Sequence, residues 1–199
     1  MDLKPHTFNV SDYRAVARLH CDHINKGFLA TLGVPFLTLL YEAIDKDRAS
    51  VLLVERVDRN VVGFVSGTCG LGRIYKQLLL RPLRLIYSLK SSILSPSKIY
   101  KILEVVLMSK NNNVLTNLPQ QELLSIVVNP YYQGGGHAES LFKALCIHFS
   151  AKGTRSFRIV VGSSLARAHS FYVKMGCTPV KEVQVHRGTN SVIYIKQCG

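Results

Sequence analysis

One segment limits what this chain can fold into more than any other: Ile126-Val127-Val128-Asn129-Pro130-Tyr131-Tyr132-Gln133-Gly134-Gly135-Gly136-His137-Ala138. The run from Glu122 to Val128 reads as a strand and Asn129-Pro130 stops it. Three glycines then lead into Ala138, Leu141, Phe142, Leu145 and Ile147, spaced as one face of a helix. The first turn of a helix presents N–H groups with no internal partner at the positive end of its dipole. Glycines let that backbone approach a ligand with no Cβ in the way. The product is a cradle for an anion such as a pyrophosphate, although three glycines also make a tight turn that binds nothing. Two other phosphate loops fail on spacing. GxxxxGK[ST] is absent, and the third glycine of GxGxxG would fall on Glu139. Hairpins rather than repeated βαβ units flank the segment, which argues against a dinucleotide fold.

The remaining pattern reads αα, ββ, insertion, β, α, β, α, ββ. Ser11 is the expected cap of a first helix carrying Ala15, Val16, Leu19 and His20. After Gly33-Val34-Pro35 a second helix carries Phe36, Leu37, Leu39, Leu40, Tyr41 and Ile44. Ser50 to Val57 and Val61 to Gly67 form a hairpin around Asp58-Arg59-Asn60. Phe157 to Val161 is a strand, Leu165 to Met175 a helix closed by Gly176, and Val180 to Ile195 a final hairpin. The expected class is α/β with a mixed sheet. The 199 residues suit a single domain, 1–199, with an insertion at about 73–119.

Composition removes several classes. With 47% apolar and 19% charged residues the chain is neither disordered nor collagen-like. No apolar run reaches the roughly 18 residues of a spanning helix, and the opening lacks the layout of a signal peptide. Five scattered cysteines without a CxxC pair indicate neither a disulfide framework nor a metal site. A cytoplasmic address is the expectation. Lys and Arg number 25 against 12 Asp and Glu, a net charge of +13 that attracts nucleic acid, acidic membrane or a polyphosphate.

Gln133-Gly134-Gly135-Gly136-His137-Ala138 resembles the Q/R-x-x-G-x-G/A signature of the GNAT superfamily of N-acetyltransferases. The segment Ala168-His169-Ser170-Phe171-Tyr172-Val173-Lys174-Met175-Gly176 is similar to the A-x-x-x-Y-x-x-x-G of that family's second cofactor motif. Glu122 to Val128 resembles its central strand, Asp58 to Val65 its strand-two/strand-three hairpin, and His20 to Tyr41 its two-helix start. Counted in the family's order, the basic helical insertion falls between strands three and four of a mostly antiparallel central sheet flanked by helices.

The resemblance implies an enzyme that moves acetyl from acetyl-CoA to an amine in a direct ternary complex, without an acyl-enzyme. It implies cofactor contacts from the N–H groups of Gly134, Gly135, Gly136, His137 and Ala138, preceded by Gln133 of the signature. It also implies pairing of the pantetheine arm with Ile126, Val127 and Val128, on a strand that a bulge splays from its neighbour. Tyr172 takes the position of the acid beside the leaving thiolate, and Glu122 that of a base for the acceptor ammonium. Where the family often has Asn, seven residues before the tyrosine, this chain has Leu165. Ser164 is the candidate replacement. Inside the loop, the His137 ring is expected to face solvent or phosphate. His23, Asn25 and Phe28, in the joint between the first helices, are the candidate acceptor-binding residues. No metal is implied. A small amine or amino sugar is the expected acceptor, with a protein amine or an inactive CoA-binding module as alternatives.

From Arg73 to Lys110 there are eight basic residues (Arg73, Lys76, Arg81, Arg84, Lys90, Lys98, Lys101, Lys110) against Glu104 alone. Leu78 to Tyr87 fits an amphipathic surface element, so docking on an anionic membrane or a protein partner is one expectation. A helical cover with solvated lysines explains the same pattern. Nucleic acid is disfavoured, since no reader motif accompanies the charge. Glu42 and Asp47 read as solvated helix charges.

Overall fold

In the computed structural model residues 8–24, 28–89, 118–186 and 189–198 are described. Two helices come first, α1 (Val10–His23) and α2 (Gly33–Lys46), with a 3₁₀ turn at Phe28–Leu32 between them. The β1 (Ser50–Val57) and β2 (Asn60–Thr68) hairpin follows, then α3 (Leu71–Leu79) and α4 (Pro82–Leu89). The chain continues through β3 (Glu122–Val128), α5 (His137–Ala151), β4 (Ser156–Gly162), α6 (Ala166–Lys174), β5 (Thr178–His186) and β6 (Thr189–Gln197). The strands form one sheet in the order β1-β2-β3-β4-β6-β5, in which only β3 and β4 run parallel. No strand precedes Ser50 among the described residues, so in this chain's own order the basic insertion follows the second strand. Lys90, Lys98, Lys101, Glu104 and Lys110 lie outside the described residues.

The period-2 alternation of the inner strands builds two cores. Leu52, Phe64 and Val127 face a cluster with Val16, Phe36, Leu37, Leu40 and Ile44 of α1 and α2 and Ile74 and Leu78 of α3. Their neighbours Val51, Val65 and Val128 face the opposite cluster with Leu141, Phe142 and Leu145 of α5 and Tyr172 of α6. Helices thus cover both faces of the sheet. Asp58 and Arg59 take positive φ (48° and 67°), as a two-residue hairpin turn of matching twist requires. Gly67 is a close approach: a Cβ there would lie 2.7 Å from the Phe149 ring on α5.

Three local expectations are corrected. Asn9, not Ser11, caps α1: its side chain accepts from Ser11 N (2.8 Å) and Asp12 N (3.1 Å), while Asp12 Oδ2 accepts from Asn9 N. That reciprocal box satisfies more end groups than Ser11 could from inside the helix. Ile147 is 56% exposed, because the apolar stripe of α5 runs through Leu141, Ala144, Leu145 and Phe149 instead. Glu42 and Asp47 are not solvated; each is only 6% exposed.

Glu42 accepts Arg84 at 3.0 Å and Arg81 at 3.3 Å and pairs with Lys46, fastening α4 to α2. Burial alone would raise its carboxyl, but the Lys46 and Arg84 contacts outweigh that and hold it below the usual range. Glu42→Gln should lower Tm by about 2–8 °C. It leaves the cations without their counterion, at a cost of about 1–2 kcal/mol because the arginines keep half their surface in water. With a depressed folded-state pKa, this stabilisation is present above the unfolded value of about 4.3 and is lost as pH falls through the folded one. The gap between wild type and variant should therefore close below about pH 4, as thermal unfolding across pH will show.

Candidate active site

The central strand is interrupted where the sheet changes direction. Ser66 pairs with Ser125 but Gly67 pairs with Leu123, so Leu124 is an extra residue on β3. On its other side β3 pairs with β4 only at Glu122–Arg158 and Leu123–Ile159. β4 meanwhile stays paired with β6 as far as Gly162–Ser191. Past the bulge β3 and β4 therefore part, and among the described residues the β3 edge from Ser125 to Val128 has no ladder partner on that side. An extended ligand can take the partner's place. Of the strand residues expected to pair with a ligand, Ile126 and Val127 lie on this open stretch, while the Val128 carbonyl accepts Gln133 Nε2 at 3.2 Å. Gln133 thus braces the loop onto its own strand.

At the open end of β3 the chain enters the glycine loop. Asn129 N donates to Val62 O (2.8 Å), and Asn129 Oδ1 accepts Tyr131 N (3.1 Å), setting a short 3₁₀ turn at Pro130–Tyr132. Gly134 (φ 86°) and Gly136 (φ 79°) then adopt the left-handed region that side chains disfavour. A Cβ at either would meet nothing within 4 Å, so the surface beside them is open. Gly136 is the N-cap of α5 and provides no side-chain cap, which leaves the first-turn N–H groups of His137 and Ala138 to outside partners. The one acid of that turn, Glu139, is paired with Lys174 of α6 at 2.9 Å. Room, uncapped donors and glycine backbone fit a pyrophosphate. The His137 ring, expected toward solvent or phosphate, instead turns to Glu55 on β1 (3.4 Å) and stands edge-on to Tyr132.

Tyr172 is buried on α6 among Phe142, Phe171 and Tyr194. Burial raises its phenol well above the ordinary tyrosine value, with a smaller push from Cys177, so the side chain stays protonated. One turn earlier on α6, His169 bridges Tyr194 Oη (2.9 Å) and the Gly162 carbonyl at the end of β4 (3.1 Å), fixing the helix to the strand. Ser164 is exposed in the turn after β4, and Leu165, 45% exposed, packs over Gly162.

Glu122 stands at the closed base of the gap. Arg158, its partner in the ladder, donates from Nε (2.8 Å) and Nη2 (2.7 Å), both to Oε2, and also reaches Pro119 O. On the helical side, His23 is exposed in the last turn of α1, Asn25 lies outside the described residues, and the side chain of Phe28 does as well. The chain's own polar group here is one the sequence reading left in the apolar stripes. His20 Nδ1 lies 2.6 Å from Tyr41 Oη, both side chains are buried, and His20 Nε2 has no hydrogen-bond partner among the described residues. Burial lowers the His20 pKa to about 4, which keeps the ring neutral. Burial raises the Tyr41 phenol, a rise the hydroxyls of Ser125 and Ser66 oppose from beside the bulge. The His20–Tyr41 pair thus lies buried between α1 and α2, on the side of the bulge. Burial pushes the thiols of Cys146 and Cys177 up to about 11, the reverse of what a nucleophilic thiolate needs. Among the described residues no cluster of His, Cys, Asp or Glu is arranged to hold a metal ion.

Comparison with known proteins agrees with this geometry. Residues 105–198 match the family model described as an acetyltransferase (GNAT) domain. No curated protein matches the chain. Among solved structures, an N-acetyltransferase from Staphylococcus aureus Mu50 superposes with a TM-score of 0.62 at 14% identity, covering 96% of each chain. An aminoglycoside 6'-N-acetyltransferase complexed with coenzyme A gives 0.59 at 10% identity, over 98% of this chain and 94% of that one. The ribosomal-protein-S18-alanine N-acetyltransferase from Escherichia coli gives 0.57 at 11% identity, over 96% and 91%. The chain has the fold of the GNAT acetyltransferases, and its C-terminal half matches the acetyltransferase domain of that family.

Proposed function

We propose that this chain is an N-acetyltransferase that moves an acetyl group from acetyl-CoA to an amine in a direct ternary complex. The observation that carries the reading is the opening between β3 and β4, which starts at the Leu124 bulge and ends at an uncapped glycine loop. Backbone N–H groups from Gly134 to Ala138 would hold the pyrophosphate, the open edge of Ile126 and Val127 the pantetheine, and Ser164 a flank of the arm. Bound there, acetyl-CoA supplies an activated thioester carbonyl. Tyr172, protonated by its burial, would give a proton to the departing sulfur. Glu122 takes a proton from the acceptor ammonium. We assign the acceptor to small amines, amino sugars among them. A protein amine is the alternative, since the similar solved structures named above include both an aminoglycoside and a ribosomal-protein N-acetyltransferase.

Leu165 favours a second reading, a CoA-binding module without turnover, because an exposed leucine offers pantetheine no hydrogen bond where the family often has Asn. A thiol-release assay over a panel of amines, amino sugars and N-terminal peptides separates the readings. Release with a small amine supports the first; tight CoA binding with no release on any acceptor supports the second.

Glu122→Gln should flatten the acidic limb of the pH–rate profile. Loss of the Arg158 ion pair alone would lower Tm and leave the shape of that profile intact, so the two measurements distinguish a base from a brace.

A further inference from the structure

The insertion opens with two short helices, of which the second, α4, is apolar on both sides. Leu78 and Leu89 are buried in the core shared with α2, as the fold requires. The opposite side is also apolar: Leu79, Leu80, Leu83, Ile86 and Tyr87 are all more than half exposed, Leu83 at 82%. On α4 the last three recur at i, i+3 and i+4 and so form one face. An apolar face of this extent is uncommon on a surface that contacts only water.

Beside it lies an open depression of about 400 Å³, bounded by Lys46, Arg48, Arg73, Lys76 and Leu80. Its one acid, Asp47, is buried, accepts from Ser50 and Ala49 in the wall and lies 3.6 Å from Arg73, and Lys46 pairs with Glu42; all four cations nonetheless stay exposed. From Leu71 to Leu89 the sequence has Arg73, Lys76, Arg81 and Arg84 and no Asp or Glu. Leu80 belongs to both features. Apolar groups flanked by cations around an open hollow match a leaflet of anionic phospholipid, with acyl chains below and phosphates at the rim.

We propose that α3, α4 and the adjoining basic depression dock this protein peripherally on an anionic phospholipid membrane. A second copy of the chain is the poorer occupant, because it would bring two surfaces without an acid in α3 or α4 against each other in a protein of net charge +13. The depression adjoins the Ser50 end of β1, whereas the glycine loop adjoins the far end, where His137 meets Glu55. Roughly 20 Å of strand separates them, so docking leaves the cofactor loop in water. No helix among the described residues is long and apolar enough to cross a membrane. Arg81 and Arg84 are poor probes of docking, because both hold Glu42.

The test is co-sedimentation of the full chain with sucrose-loaded vesicles, either pure phosphatidylcholine or with about a third phosphatidylserine. Wild type should bind the phosphatidylserine vesicles, much less the neutral ones, and release as salt rises. Arg48→Gln with Lys76→Gln should weaken binding about thirtyfold, two cations at about 1 kcal/mol each. Leu83→Asn with Ile86→Asn should weaken it at least a hundredfold. Circular dichroism and Tm should stay at wild-type values in both, since all four side chains are exposed. A titration with inorganic phosphate identifies the source of the anion: saturation without vesicle binding assigns the depression to a free anion and overturns the proposal. Failure of wild type to bind phosphatidylserine vesicles overturns it too, as does vesicle binding untouched by both double variants. A dimer in sedimentation velocity that Leu83→Asn with Ile86→Asn dissolves would make a second copy the occupant. None of these readouts requires acetyl transfer, so the proposal stands or falls apart from the enzymatic one.

Discussion

Gly136→Asp should erase the rise in Tm that acetyl-CoA gives the wild-type protein. A ligand at a hundred times its Kd stabilises the native state by about 2.7 kcal/mol, or about 5–11 °C for a domain of this size. Gly136 caps α5 with φ at 79°, and the space where a Cβ would project is open, so an introduced side chain is directed at the surface that would hold the pyrophosphate. A carboxylate about 4 Å from a phosphate charge repels it by about 4 kcal/mol at an effective dielectric near 20. That weakens binding by 10² to 10³ or more. Left-handed backbone also costs a non-glycine residue about 1–2 kcal/mol, so charge and strain must be separated. Gly136→Asn does this: Asn tolerates the same backbone about as well as Asp and carries no charge. The Asn variant should lose up to about tenfold in affinity and the Asp variant essentially all of it, by thermal shift and calorimetry. Equal, wild-type-like binding by both would remove the loop from the cofactor site.

Much of the frame is legible in the sequence because its signals are local. The hairpin at Asp58-Arg59 follows from alternation around a turn, and the last helix ends before Gly176, which takes φ of 70°. The glycine loop announces itself because a strand, three glycines and a helix in succession leave the backbone few choices. What the sequence hides depends on contacts distant along the chain. Glu42 looks solvated until α4, about forty residues later, brings Arg81 and Arg84 to it. His20 and Tyr41 sit inside apolar stripes and read as core until α1 and α2 pack antiparallel and set their polar atoms 2.6 Å apart. The resemblance implies a bulge in Glu122 to Val128, but no residue there marks Leu124 as its place, since a register shift is a relation between two strands. The direction of the His137 ring is hidden for the same reason: its partner Glu55 belongs to another strand. Distant pairing of this kind also decides how Glu122 must be tested, because its ion pair with Arg158 gives it a structural role beside any chemical one.

Tyr172 allows a cleaner test. Tyr172→Phe should lower kcat by about 10² or more with little change in CoA affinity, since proton transfer to a leaving group is worth roughly 10² to 10⁴. The ring packs on Phe142, Phe171 and Tyr194, contacts that phenylalanine keeps. Its hydroxyl makes no hydrogen bond among the described residues, and the atom is not among the buried polar groups left without a partner. Removing it should therefore shift Tm by no more than a degree or two. Because burial raises the phenol above its ordinary value, Tyr172 stays protonated through any workable assay. An alkaline fall in wild-type kcat should consequently persist in the variant at a lower plateau, and its midpoint should not move. Rapid-quench turnover with a good amine acceptor reads the chemical step directly. If Phe at this position keeps wild-type kcat, the proton on sulfur comes from solvent or the acceptor. If Glu122→Gln is silent as well, the opening between β3 and β4 works by holding thioester and amine together, a device that supplies several kcal/mol without any acid or base.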